Sequence, residues 1–182
     1  MGNKKQTSFD SLKILNVLFI FASVVICSFL MLLHIPGMEL LGTNPNWLLI
    51  WVVAWSIKRN IWQGAIAGLI MGCIYDGIVT STPSYIFSFV LIGVLTSSLQ
   101  KQKYIGEDFI SVAFIVFFMT IIAETVYGLQ YARYHFFSIS EIIDKYQQIA
   151  IISAIINSLW SPAFYYPFDL WNNKMTKGAS QF

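Results

Sequence analysis

The chain has 182 residues, of which 57% are hydrophobic and 11% charged, and its mean hydropathy is +0.66. This composition lies outside the range of soluble globular domains and places the protein in a lipid bilayer. Nine acidic side chains nearly balance eleven basic ones, so net charge favours neither nucleic acid nor an acidic ligand as a partner. The two cysteines, Cys27 and Cys73, lie inside apolar runs. We interpret them as small hydrophobic residues rather than as a disulfide or a metal site.

Six apolar segments are predicted to cross the membrane as helices. An α-helix needs about 20 apolar residues to cross the hydrocarbon core. The predicted spans are approximately 14–33, 47–57, 62–79, 85–99, 109–129 and 149–168. No repeat, linker or low-complexity segment divides the chain, so residues 1–182 are predicted to form a single six-span domain. The predicted fold class is therefore an all-α integral membrane protein.

The second span is shorter than the others. The run Trp47–Ile57 cannot cross a bilayer perpendicularly, and two basic residues follow it at once. It is interpreted either as a short helix in a locally thin region or as a tilted helix with Trp47 and Trp55 at the interfaces. A re-entrant segment is a further alternative.

A stripe of small residues marks the third span. Gly64, Gly68 and Gly72 are spaced four apart, and Asp76 continues the same spacing. On a helix these positions lie on one face, where the missing side chains let another helix backbone approach closely. We therefore predict that the three glycines pack inside a membrane bundle. A phosphate-binding loop is disfavoured because no lysine followed by serine or threonine comes after the glycines.

Four residues are candidates for an intramembrane polar site: Asp76, Glu124, Asn157 and Pro162. Asp76 lies about 21 Å from the start of its span and Glu124 about 22 Å from the start of the fifth, so both are predicted near the outer surface. An acid inside a membrane is a candidate functional residue by default. The alternative is that each carboxylate is hydrated or bonded to a helix end. Asp169, at the other boundary, is expected to be solvated.

The last two spans are predicted to be joined by the longest connection, Gln130–Gln148, with a short interfacial helix beginning at Ser138 or Ser140 as one alternative. The sixth span then carries Asn157 and Ser158 and is predicted to be broken late by two prolines, Pro162 and Pro167. Such a polar cluster can form hydrogen bonds across helices, and Pro162 frees backbone carbonyl groups.

The positions of the basic residues predict the orientation. With the N-terminus in the cytoplasm, nine of the eleven lysines and arginines fall in cytoplasmic segments, and only Arg133 and Lys145 fall outside. Basic residues near span ends are retained on the cytoplasmic side. We therefore predict six crossings of the membrane, with both termini cytoplasmic.

These features resemble the MreD family of rod shape-determining proteins. The resemblance rests on the size, the short aromatic span after Pro45, the run GAIAGLIMGCIYDGI, and Asn157, Leu159, Pro162 and Tyr166 in the last span. It implies a non-enzymatic partner of MreC in the bacterial inner membrane that helps to link cytoplasmic MreB filaments to the peptidoglycan synthases of the elongation complex. It also implies a fold similar to the S component of energy-coupling-factor vitamin transporters. No role is carried over to Glu124.

Two other functions were weighed. A substrate-binding S component is the main alternative, although the first span offers only Ala22 followed by Ile26 where the Ala-x-x-x-Ala docking pattern would be expected. A membrane enzyme is disfavoured because no Ser/His/Asp or Cys/His set can be assembled, and His34 and His135 lack neighbours at metal-ligand spacing. No cofactor is expected. Membrane lipid is an expected partner, and a homo-oligomer is one of the alternatives left open.

Overall fold

The computed structural model describes residues 2–33, 37–79, 82–99, 109–135 and 139–180, and side chains within 14–33, 37–79, 82–99, 109–133, 147–171 and at Lys174. Over these ranges the chain forms six α-helices and no strand: α1 (Gly2–Leu32), α2 (Trp47–Ser56), α3 (Ile61–Val79), α4 (Ile86–Leu99), α5 (Phe109–His135) and α6 (Ile139–Ser180). The segment between the predicted fourth and fifth spans, residues 100–108, lies outside the described residues, as do His34 and Ser138.

Within the described ranges, four helices contain segments long and apolar enough to cross a membrane: Ile14–Leu32, Ile61–Val79, Phe109–Arg133 and Gln147–Trp171. Helices α2 and α4 are apolar but have only 10 and 14 residues. At about 1.5 Å of rise per residue they extend roughly 15 and 21 Å. The prediction of an all-α membrane protein is confirmed. Whether α2 and α4 cross the bilayer completely stays a prediction.

The helices alternate in direction, so the bundle has two ends. We call one the Asp76 end: α1, α3 and α5 run towards it, and α2 and α4 begin there. The opposite end, where α2 ends and α3 begins, is called the Lys58 end. The predicted orientation would put the Asp76 end outside and the Lys58 end in the cytoplasm.

Helix α2 lies at the centre of the bundle. Nine of its ten residues are buried, and it contacts all five other helices. A helix that is apolar on every side fits such an interior position. Trp47 is only 4% exposed, and its ring packs against Trp160 and Phe164. The short helix, Trp47 included, is therefore covered by protein rather than by lipid, and the depth of Trp47 in the membrane stays a prediction.

Helices α3 and α4 pack antiparallel with their backbones in contact. The stripe glycines, Gly64, Gly68 and Gly72, are buried and face α4. A Cβ atom built on Gly68 would overlap the carbonyl oxygen of Phe89, and one on Gly72 would lie 2.7 Å from the Cα atom of Ile86. The stripe thus leaves out side-chain volume where the α4 backbone passes.

The connection between α5 and α6 is much shorter than predicted. Helix α5 continues to His135 and α6 begins at Ile139, so the expected long connection over residues 130–148 is wrong. The two helices pack along each other as a hairpin, and this contact lets the amphiphilic sequence stay helical. Asn157 contacts Asn46 at the start of α2. The part of α6 that precedes Asn157 therefore extends about 27 Å past that point.

The prolines of α6 do not end the helix, which continues through Pro162 and Pro167 to Ser180. The predicted break is therefore wrong. The Ser161 hydroxyl donates a hydrogen bond of 2.8 Å to the carbonyl oxygen of Ser158. That carbonyl lies four residues before Pro162 and is the one that loses its usual N–H partner. Satisfaction of freed carbonyl groups by serine is how membrane helices tolerate proline.

Candidate functional site

Two carboxylates meet one tyrosine at the Asp76 end. The backbone N–H of Tyr85 donates to Asp76 Oδ1 at 2.9 Å, and the Tyr85 hydroxyl donates to Glu124 Oε2 at 3.3 Å. Asp76 lies on α3, Tyr85 directly precedes α4, and Glu124 lies on α5. Depth along the helices predicted that both acids lie at one level, and the structure brings both to Tyr85.

Asp76 supports the start of α4. Its Oδ2 atom accepts a hydrogen bond from the Ser84 hydroxyl, which in turn accepts one from the N–H of Ile86 at 3.1 Å. The first N–H groups of a helix have no partner within it and favour a nearby negative charge. Asp76 therefore acts as a helix cap supplied by the preceding helix, which corresponds to the alternative of a carboxylate bonded to a helix end.

Glu124 is only 7% exposed. The Tyr85 ring that bonds to it is stacked on Tyr127, with centroids 3.8 Å apart, and touches Tyr75 at 4.7 Å. A buried carboxylate needs hydrogen-bond donors to offset lost hydration, and Tyr85 supplies one. We call Glu124, Tyr75, Tyr85 and Tyr127 the tyrosine cluster. It joins α3, α4 and α5.

Asn157 lies in a different place from the two acids. It is fully buried; its Oδ1 atom accepts from the N–H of Asn46 at 2.8 Å, and its Nδ2 atom donates to Thr120 Oγ1 at 3.2 Å. Asn46 Oδ1 accepts from the N–H of Leu49 at 3.1 Å and so caps α2. Asn157 therefore links α6 and α5 to the start of the central helix.

Pro162 belongs to neither polar group. With Ser158 it lines an apolar groove of about 330 Å³ between α6 and the first half of α5, where Phe109, Phe114 and Phe117 form the opposite wall. The four residues predicted as one intramembrane polar site thus occupy three places: the Asp76 end, the Asn157 junction and this groove.

The Lys58 end is held by an ion pair. Lys58 Nζ lies 2.6 Å from Asp169 Oδ1, so Asp169 is not simply solvated as expected. The Arg59 guanidinium lies 5.2 Å from the centre of the Trp55 ring, and burial lowers the pKa of Arg59. An ion pair at a helix end contributes little, about 0.2–1 kcal/mol. Packing of α2 against α6 is therefore the larger contribution here.

No group of three His, Cys, Asp or Glu side chains that could hold a metal occurs in the part of the chain that the structure describes. His34 is outside this part, and nothing is described of the His135 side chain. Asp76, Glu124 and Asn157 are each bonded to a residue outside their own helix. Their geometry is suited to fixing the bundle.

A comparison with protein families decides the class. The family model for the rod shape-determining protein MreD matches residues 12–175. The chain belongs to the MreD family. Searches of curated proteins and of solved structures found no match, so the expected similarity to S components stays a prediction. As an MreD family member with four membrane-capable helices, the protein is a multi-pass, rod shape-determining protein of the inner membrane.

Sequence patterns did not point to every polar residue of this MreD chain. Tyr85 was assigned only as the first residue of a span, and Thr120 was not singled out. Asn46, whose backbone N–H donates to Asn157, was not singled out above either. Ser84, just before α4, was the available signal, because serine is typical of a helix start.

Replacement of Asp76 tests its capping role. Asp76→Asn keeps one acceptor oxygen for Ser84 or for the N–H of Tyr85, so folded yield should stay close to that of the parent. Asp76→Leu removes both acceptors and should destabilise the protein by about 0.5–2 kcal/mol, the usual effect of losing a cap. Thermal unfolding in detergent measures both. If Asp76→Leu unfolds at the temperature of the parent, the carboxylate is only hydrated at the interface.

Proposed function

We propose that this protein is a non-enzymatic membrane subunit of the bacterial cell-elongation complex. In this role it binds MreC and helps to couple cytoplasmic MreB filaments to the peptidoglycan synthases. Membership of the MreD family supports the class of function. The bonds that Asp76, Glu124 and Asn157 make to other elements also support a structural rather than a catalytic role.

The first helix carries the proposal for MreC binding. Only 6% of the span Ile14–Leu32 is buried, whereas the other three membrane-capable spans are 33% to 39% buried. Helix α1 packs against α2 and α3, and its Phe19 ring stacks on Trp171 of α6. A long apolar face of its span stays exposed. Membrane helices associate through close packing within the bilayer, so this face is the proposed contact for a helix of MreC.

Crosslinking followed by purification tests the complex. We expect MreC and the wall synthases to co-purify with the full-length protein from its native membrane. Recovery of an ATPase-coupled transmembrane subunit in their place would contradict the proposal and favour the substrate-binding S component.

A pair of double variants tests the α1 face. Phe21 and Phe29 are 68% and 62% exposed on α1, and Phe114 and Phe118 are 60% and 58% exposed on α5. Replacing the α1 pair by alanine should lower MreC recovery at least about tenfold, because two interface aromatics at about 1 kcal/mol or more each exceed the roughly 1.4 kcal/mol that corresponds to that factor. The same change on α5 should leave it unaltered. If the α1 and α5 double variants recover equal amounts of MreC, the α1 face is not its contact and faces lipid.

The predicted orientation, which is part of this proposal, is tested by thiol labelling. In a Cys27→Ala/Cys73→Ala background, Glu39→Cys and Arg133→Cys should react with a membrane-impermeant reagent added to intact cells, and Lys174→Cys should not. All three residues are exposed in the structure, so lack of reaction would reflect the membrane and not burial in the protein. Reaction at Lys174→Cys from outside would contradict the six-span orientation.

A further inference from the structure

A cavity of about 510 Å³ opens at the Asp76 end, between the last turn of α1, the segment 37–46, the start of α2 and the last turn of α3. Its walls differ in polarity. Leu30 and Met31 of α1 and Ile78 of α3 are apolar, whereas Thr43 and Asn44 of the segment supply hydrogen-bonding groups. The occupant should therefore have an apolar part and a polar part, as a lipid has.

The cavity is continuous with the outer surface of the helices. Leu32, Leu33 and Val79 line it and are also among the exposed apolar side chains of the bundle. These residues lie at the ends of two membrane-capable spans. A molecule dissolved in the bilayer can therefore reach the cavity between α1 and α3 without crossing water. This route favours a lipid over a water-soluble compound.

The charges of the residues at the cavity indicate which type of lipid headgroup it can bind. Among the residues that the structure describes, neither lysine nor arginine lines the cavity, and the exposed acid Glu39 directly follows the lining residue Met38. An anionic headgroup would therefore meet no positive charge from these residues. An ammonium group is instead attracted to carboxylates and to aromatic ring faces, and Trp47 and Tyr75 both line the cavity.

We propose that this cavity binds one membrane lipid with a zwitterionic, ammonium-containing headgroup. Its acyl part lies against Ile78 and the end of α1, and its headgroup lies at Thr43 and Asn44. Tyr75 also contacts Tyr85 at 4.7 Å between ring centres, so the bound lipid adjoins the tyrosine cluster. The site does not depend on binding to MreC and can be tested on the protein alone.

The test is lipid retention. The full chain is reconstituted in vesicles of equal parts phosphatidylethanolamine and phosphatidylglycerol, extracted in mild detergent, and examined by native mass spectrometry. We expect one retained phosphatidylethanolamine. Ile78→Trp fills the cavity and should retain about tenfold less. Ile66→Trp, on the exposed face of the same helix, is the matched control and should retain as much as the parent.

Thr43→Val keeps the shape of the side chain but removes its hydroxyl, and should retain about threefold less through loss of one hydrogen bond. If Ile78→Trp fails to fold, lipid retention by Thr43→Val tests the site instead. The site is overturned if Ile78→Trp binds like the parent, or if both tryptophan variants lose lipid equally, because the lipid is then nonspecific. Preferred retention of phosphatidylglycerol would contradict the assignment of an ammonium headgroup. Retention of a water-soluble compound would contradict the proposal that the occupant is a lipid.

Discussion

Gly68→Leu and Gly72→Leu are expected to lower the melting temperature of the protein in detergent by roughly 2 to 12 °C, which corresponds to about 1–3 kcal/mol. The atoms that a new side chain would meet are backbone atoms of α4, the carbonyl oxygen of Phe89 and the Cα atom of Ile86. A flexible side chain could rotate away, but a helix backbone cannot. The two helices must therefore move apart and lose their close contact.

Gly77 provides the matched control for these variants. It lies on the same helix, α3, but a Cβ atom built there has no neighbour within 4 Å. Gly77→Leu should leave the melting temperature unchanged or raise it slightly, because leucine has the better helix propensity. If Gly68→Leu and Gly72→Leu melt like Gly77→Leu, the close packing of α3 on α4 does not stabilise the bundle.

Asn157→Leu is expected to destabilise the protein by about 1–3 kcal/mol, the effect of leaving a buried polar group without its partner. Leucine has a similar volume but cannot accept the hydrogen bond from the N–H of Asn46 or donate to Thr120. Both of these residues are buried, so water cannot replace the lost bonds easily. The largest loss of order is expected at the start of the central helix α2, because Asn46, which caps it, loses its bond to Asn157.

Ser158→Ala is the control for Asn157→Leu. The Ser158 hydroxyl bonds only locally in the described contacts, to the carbonyl oxygen of Ile155 on its own helix. Its removal should change the free energy of unfolding by less than about 0.5 kcal/mol. Thermal unfolding in detergent compares the two variants. Equal stability would mean that side-chain packing alone, and not the Asn157 junction, holds α2 against α5 and α6.

Helix bounds could be predicted well where apolar runs end at turn residues or charges. The predicted spans 62–79 and 85–99 differ by one residue from α3 (Ile61–Val79) and α4 (Ile86–Leu99). The connection between α5 and α6 was predicted poorly. Its tyrosine-rich sequence is less apolar than a span, and only packing of the two helices along each other keeps it helical.

The position of α2 illustrates why packing is harder to predict in a membrane. In water, the apolar face of a helix points inward, so the sequence indicates its orientation. In lipid the outer face is also apolar, and the central helix α2 and the exposed span Ile14–Leu32 of α1 are both strongly apolar. Only contacts with the other helices placed α2 at the centre and buried Trp47 in protein.

By itself, the sequence determined the membrane environment, the all-helical class, the glycine stripe and the resemblance to the MreD family, because these follow from composition and from spacing along one helix. Only the tertiary structure decided which residues meet. Asp76 and Glu124 both form hydrogen bonds with Tyr85. Asn157 bonds to Asn46 and Thr120 instead, and Pro162 lines an apolar groove. Hydrogen bonds between helices depend on their relative rotation and depth, and these are fixed by close packing of many side chains.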